Sequence, residues 1–169
     1  MTHIRVRPET AADVAAVRAV ELSAFPTAAE ADLVTALRAD PAGWIDGLSM
    51  LALTPDETPI GHALLTRCHI GDVPALALAP CAVTPGYQRR GVGTTVIRAA
   101  LAAAGAREER FVVVLGHPEY YPRFGFERAD RFGIELSIPT PAEALRVLSL
   151  DPADVPPAGR VRYPTAFGI

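Results

Sequence analysis

Two nearly unbroken apolar runs, 75–83 and 111–115, bracket a segment whose apolar residues Val92, Val96, Ile97, Ala100, Leu101 and Ala104 recur at helical spacing. Consecutive apolar residues suit a strand buried on both faces, and the spacing between the runs suits an amphipathic helix over 91–104, closed by Gly105 in the C′ position. Strand, helix and strand in succession form a right-handed βαβ unit, so the two runs are expected to lie parallel. That expectation commits the chain to an α/β architecture.

The flanking segments add antiparallel partners. Ile4, Arg5, Val6 and Arg7 alternate with period two before Pro8, a short first strand. Thr10 to Asp13 opens a first helix carrying Val14, Val17 and Val20 and ending near Ala24, and Thr27 with Glu30 forms a capping box for a second helix that Asp40–Pro41 stops. Strands over 50–53 and 61–70 are separated by a turn-rich segment, as in a hairpin. A strand is expected over 144–150, and one at 159–163 whose open edge could pair with a second subunit to give a homodimer.

At 169 residues the chain has the length of one domain, 1–169. Sixteen basic and nineteen acidic side chains leave a net charge of −3, without runs of like charge, which argues against nucleic acid as a partner. Apolar runs far shorter than about 20 residues argue against a membrane span, and the start of the chain lacks the pattern of a secretory signal, so a cytoplasmic location is expected. Cys68 and Cys81 are expected as two reduced thiols. His3, His62, His69 and His117 show no paired ligand spacing, so no metal site is expected.

Chemistry concentrates in Gln88-Arg89-Arg90-Gly91-Val92-Gly93-Thr94, between the first buried strand and the helix. Free backbone N–H groups at a helix N-terminus, with the helix dipole behind them, attract anions. Glycines at 91 and 93 admit a phosphate to the main chain, and Arg89 and Arg90 add charged donors. A P-loop is excluded because Val92 and Gly93 stand where lysine and Ser/Thr must follow, and a dinucleotide fingerprint fails because Val96 replaces its third glycine. Plain helix capping is the structural alternative.

Apolar strand, then Q-R-R-G-V-G, then amphipathic helix resembles the acyl-CoA pyrophosphate loop of the GCN5-related N-acetyltransferases. The stretch from Leu78 to Pro85, the Y-x-x-x-G-F signature in Tyr121 to Phe126, and the C-terminal Tyr163 to Phe167 are similar to the YhbS-type subgroup of that superfamily. The resemblance implies a mixed, mostly antiparallel sheet with flanking helices, splayed into a V between strands 75–83 and 111–115, where acetyl-CoA lies. It implies that Cys81, Ala82 and Val83 offer backbone groups to the pantetheine arm, and that Gln88, Arg89, Arg90, Gly91, Val92, Gly93 and Thr94 hold the pyrophosphate.

The reaction so implied is direct transfer of an acetyl group from acetyl-CoA to a primary amine, on a small molecule or a peptide. It needs an oxyanion donor, a base and a proton for the departing thiolate. Tyr121 aligns with the family's proton donor, with Tyr120 its neighbouring rival, and a backbone N–H on 81–83 serves the oxyanion. The glutamate common on the second strand of the V is missing, which leaves His117 as a candidate base and Glu30 or a water chain as competitors. The same gap keeps open a non-catalytic acyl-CoA-binding or sensing module. A Cys81 nucleophile lacks an identifiable base.

Overall fold

The computed structural model describes residues 3–169. Strand β1 (Arg5–Pro8) leads into a single 3-10 turn at Ala11–Asp13, where Asp13 Oδ2 accepts hydrogen bonds from the Thr10 N–H at 2.7 Å and its hydroxyl at 3.0 Å. Helix α1 (Val14–Ala24) follows, with Val17 and Val20 buried. Val14, expected on the same stripe, is 39% exposed and faces away from the core. Helix α2 (Ala29–Arg38) begins later than the capping box at Thr27 and Glu30 requires. Ala28 is the N-cap, so Glu30 occupies the second helical position, one short of the register for a reciprocal bond; Thr27 instead accepts from the Ala29 N–H at 3.3 Å.

Strands β2 (Ser49–Leu53), β3 (Pro59–Ile70) and β4 (Val73–Val83) form an antiparallel meander, with a register shift between β3 and β4 near Ala63 and Leu65. Helix α3 (Val92–Ala106) then crosses to β5 (Phe111–Leu115), parallel to β4 as the βαβ pattern requires. The helix runs past the expected end: Gly105 lies inside the last turn, and the cap is at Arg107. Short strands β6 (Glu127–Arg128) and β7 (Ile134–Glu135) precede β8 (Leu145–Ser149), which pairs antiparallel with β5, and β9 (Gly159–Arg162).

The sheet is mixed and mostly antiparallel, in the order β1-β2-β3-β4-β5-β8-β6. Strands β4 and β5 pair only at Leu76↔Val112 and Ala77↔Val113, then part, which is the expected V. One face carries α3 through Val96, Ile97 and Ala100, packed on Leu65, Leu76 and Val112. The other carries α1 and α2 through Val17, Val34 and Leu37 on Leu51 and Leu64. The open edge expected at 159–163 is not found: β9 is hydrogen-bonded to β3 at 161–162 and to β7 at 159–160. The strand ties the C-terminal segment to the sheet. Among the described residues no helix is long and apolar enough to cross a membrane.

Candidate active site

The loop after β4 is held by its own side chains. Gln88 Nε2 donates to the Val83 carbonyl at 3.0 Å, Thr95 Oγ1 donates to the Gly91 carbonyl at 2.8 Å, and the Thr95 N–H closes on the same carbonyl at 3.0 Å. Gly91 caps α3 at φ +82°, in the left-handed region that glycine occupies without steric cost. Helix geometry then leaves the N–H groups of Val92, Gly93 and Thr94 without intrahelical acceptors.

Gly93 and Thr94 of that turn line a cleft of about 320 Å³ together with Val83, Gln88, Arg89, Gly91, Tyr120 and Arg123. Five of the seven residues expected at a pyrophosphate site therefore meet there. Arg90 and Val92 do not line it: the Arg90 guanidinium stacks 5.8 Å from the Tyr87 ring centroid, and Val92 is buried in the core, against Gly61 of β3. Arg123 and Tyr120 are additions that the loop motif did not supply. Arg123 Nε donates to the Tyr120 carbonyl at 2.8 Å and its guanidinium lies 4.3 Å from that ring's centroid, while the Tyr120 hydroxyl lies 3.2 Å from Thr94 Oγ1. The signal for both was adjacency to Tyr121 in the turn Tyr121–Phe124.

Tyr121 points elsewhere than Tyr120, toward β4 and not toward Thr94. Its ring meets Tyr120 and Phe126 edge-on and lies against Gly116, where an added Cβ would stand 2.6 Å from Cε2. Its phenol sits beside the Cys81 thiol of β4, and burial first, then the neighbouring Cys81 and Tyr120, push its pKa upward. Burial likewise pushes up the Cys81 thiol, with the charge of Glu21 second. A thiol so suppressed is protonated at neutral pH and is a poor nucleophile. His117 is exposed in the loop after β5.

Among the described residues, the edge of β4 that faces β5 has no strand partner beyond Ala77. Where the strands part, a cavity of about 180 Å³ is lined by Leu78, Ala79, Val113, Leu115, Tyr163 and Phe167, with Ile169. The loop cleft, the free strand edge and this apolar cavity follow one another along the V.

A second cluster lies on the α1 face, and the sequence pointed to none of it. Glu21 Oε1 is 2.6 Å from His62 Nδ1, His62 Nε2 is 2.8 Å from Ser49 Oγ, Ser49 Oγ donates to Glu9, and Arg38 Nη2 donates to both Glu9 oxygens at 3.0 and 2.9 Å. Glu21 and His62 are fully buried. The available signal was a carboxylate at position 21, four residues after Val17 on an otherwise apolar stripe.

The Acetyltransferase (GNAT) family model matches residues 15–126. The uncharacterized N-acetyltransferase YjhQ of Escherichia coli is 40% identical over 136 residues, 78% of this chain and 74% of its own length. The uncharacterized N-acetyltransferase YhbS of the same species is 29% identical over 144 residues, 84% of each chain. A crystal structure of a GNAT family acetyltransferase from Brucella melitensis in complex with acetyl-CoA superposes with a TM-score of 0.79 at 30% identity, covering 99% of both chains. That of YhbS from Escherichia coli in complex with CoA gives 0.89 at 24% identity, covering 100% of this chain and 94% of the other. This chain belongs to the acetyltransferase (GNAT) family.

Proposed function

We propose that the protein transfers an acetyl group from acetyl-CoA to a primary amine by direct attack in a ternary complex. The observation that carries the reading is the continuity of the phosphate-sized cleft at the α3 N-terminus with the unpaired edge of β4 and with Tyr121 beside Cys81. Arg89, Arg123 and the N–H groups at Gly93 and Thr94 would hold the pyrophosphate, as charge-assisted donors at a helix N-terminus. Cys81, Ala82 and Val83 would pair with the pantetheine arm as an added strand does with a sheet edge. An N–H of that edge would receive the charge developing on the thioester oxygen.

Tyr121 is the proton donor in this reading. Burial raises the phenol's pKa but penalises a bare thiolate in the same surroundings, so the proton moves as the sulfur departs. Supply of acetyl-CoA and CoA to related structures supports the cofactor. For the base, His117 is the candidate that the sequence offers, and Glu21 is argued below. Calorimetric titration with acetyl-CoA tests the site: wild type should bind, and Arg89→Glu and Arg123→Glu, each placing negative charge in the cleft, should abolish binding. No wild-type binding refutes the reading, and binding without turnover of any amine would favour an acyl-CoA sensor.

A further inference from the structure

The direction of the hydrogen bonds in the Glu21–His62–Ser49–Glu9 chain follows from counting protons. Arg38 donates to both oxygens of Glu9, so both oxygens of that group act as acceptors. Ser49 has one hydroxyl proton, and it is used toward Glu9. The 2.8 Å contact between Ser49 Oγ and His62 Nε2 then needs its proton from Nε2. A second proton lies in the 2.6 Å contact between His62 Nδ1 and Glu21 Oε1, since two bare acceptors would repel there. The bonds from His62 Nε2 through Ser49 to Glu9 are thus polarised outward, and the inner contact holds one shared proton.

Both ends of the chain are suited to proton transfer. At the inner end Glu21 Oε2 is buried and, among the described residues, has no hydrogen-bond partner. A buried oxygen of that kind costs free energy until a donor reaches it. The strand expected to hold the thioester runs alongside: Ala82 is the register partner of His62, and the charge of Glu21 is felt, after burial, by the thiol of Cys81. At the outer end Glu9, Arg38 and Ser49 line an open cleft of about 330 Å³ with Trp44 and Asp46. Tyr121 packs in the α3-side core together with Cys81, whereas Glu21 approaches from α1, so acid and base would flank β4 from opposite faces.

We infer that Glu21 accepts the proton of the attacking amine at Oε2, and that His62, Ser49 and Glu9 relay a proton outward to the cleft beside Arg38. The inference rests on the acetyl-transfer reading above. As R–NH3+ gives a proton to Oε2, the proton shared between Oε1 and Nδ1 is left on Nδ1, that on Nε2 moves to the Ser49 oxygen, and the hydroxyl proton moves to Glu9, which loses it to water in the cleft. The amine lone pair forms the C–N bond, the C–S bond breaks, and the thiolate leaves with the proton of Tyr121. Tyr121 regains one from the second N–H proton that amide formation releases. Glu21 is the catalytic residue here, while His62, Ser49 and Glu9 act through it. The titratable groups around Glu21 are His62 on β3 and Cys81 on β4. Glu30, also with a buried unpartnered Oε2, begins α2.

Two measurements on the full chain test this. Nitrogen-15 NMR of histidine-labelled protein at neutral pH should show His62 Nε2 carrying a proton, and an unprotonated Nε2 overturns the relay whatever the activity. Thiol release from acetyl-CoA is then followed against pH with a panel of primary amines for wild type, Glu21→Gln and Ser49→Ala. Glu21→Gln should lose about 100-fold or more in kcat with acetyl-CoA affinity kept, and should lose the acidic limb of the pH profile. Ser49→Ala, which leaves the Glu21–His62 contact in place, should lower kcat without weakening acetyl-CoA binding. A folded Glu21→Gln with wild-type kcat overturns the inference alone. If that variant does not fold, a wild-type pH profile in Ser49→Ala overturns it. A wild type that binds acetyl-CoA and acetylates none of the amines overturns both the inference and the reaction on which it rests.

Discussion

The same substitution at the two ends of α3 separates binding from stability. At Gly93, in the first turn, an added Cβ would stand 3.2 Å from the Tyr120 hydroxyl and 3.5 Å from Val83 Cγ2, in the lining of the loop cleft. At Gly105, in the last turn, it would meet nothing within 4 Å. Alanine is favoured over glycine within a helix by about 0.5–1 kcal/mol, so Gly105→Ala should raise the melting temperature by roughly 1–4 °C for a chain of this size. Its acetyl-CoA affinity should be that of wild type.

Gly93→Ala gains the same propensity but spends part of it on the tight approach to Tyr120, leaving stability within about 0.5 kcal/mol of wild type. Its methyl group keeps a phosphate oxygen off the main chain, and losing one charge-assisted hydrogen bond, about 1.5–3 kcal/mol, weakens binding roughly 10- to 100-fold. Thermal melts and calorimetric titration with acetyl-CoA read the two quantities separately. Equal affinities in the two variants would refute the assignment of the α3 N-terminus as the pyrophosphate site.

Gly116→Ala should lower kcat and spare acetyl-CoA affinity, because its Cβ would displace the ring of Tyr121; steady-state kinetics beside titration check this, and a lost affinity with intact kcat would contradict it. The hydrogen bond from Arg7 holds the Asp13 carboxyl well below the usual carboxylate range, opposed by burial and assisted by Thr10. Its contribution to stability is therefore complete above the unfolded-state value near ~4 and is lost as pH falls. Urea midpoints of wild type and Asp13→Asn should converge below that pH, and a gap that widens on acidification would be contrary. Burial pushes the Cys68 thiol up to about 12 and raises Cys81 as well, so neither should be alkylated by iodoacetamide in the native protein at pH 8. Rapid modification of Cys81 would reopen a covalent intermediate.

What the sequence disclosed and what it hid differ by the range of the interactions involved. The parallel pair, α3 and the glycine at its start are local patterns, each set by periodicity or by a backbone conformation within one segment. The capping box at Thr27 failed because a one-residue change in the start of α2 removes the reciprocal register, which no local pattern specifies. The end of α3 was missed because glycine in a final turn next to alanine is tolerated. The free edge at 159–163 vanished through pairing with β3 and β7, both distant in sequence. Within the site, Gln88, Arg89 and Gly93 were legible from the loop, whereas Arg123 enters it through the fold of a separate turn. Glu21, His62 and Ser49 come from α1, β3 and β2, and Glu9 from the segment just after β1, so only packing α1 against the sheet assembles them.

Amine-dependent release of CoA thiol from saturating acetyl-CoA, measured for wild type and Tyr121→Phe with acetyl-CoA affinity alongside, tests the central claim most directly. The account predicts release by wild type only when a primary amine is present, and a loss of about 100-fold or more in kcat for Tyr121→Phe at unchanged affinity. Wild type that binds acetyl-CoA and releases no thiol with any amine, or a Tyr121→Phe variant as fast as wild type, would contradict it.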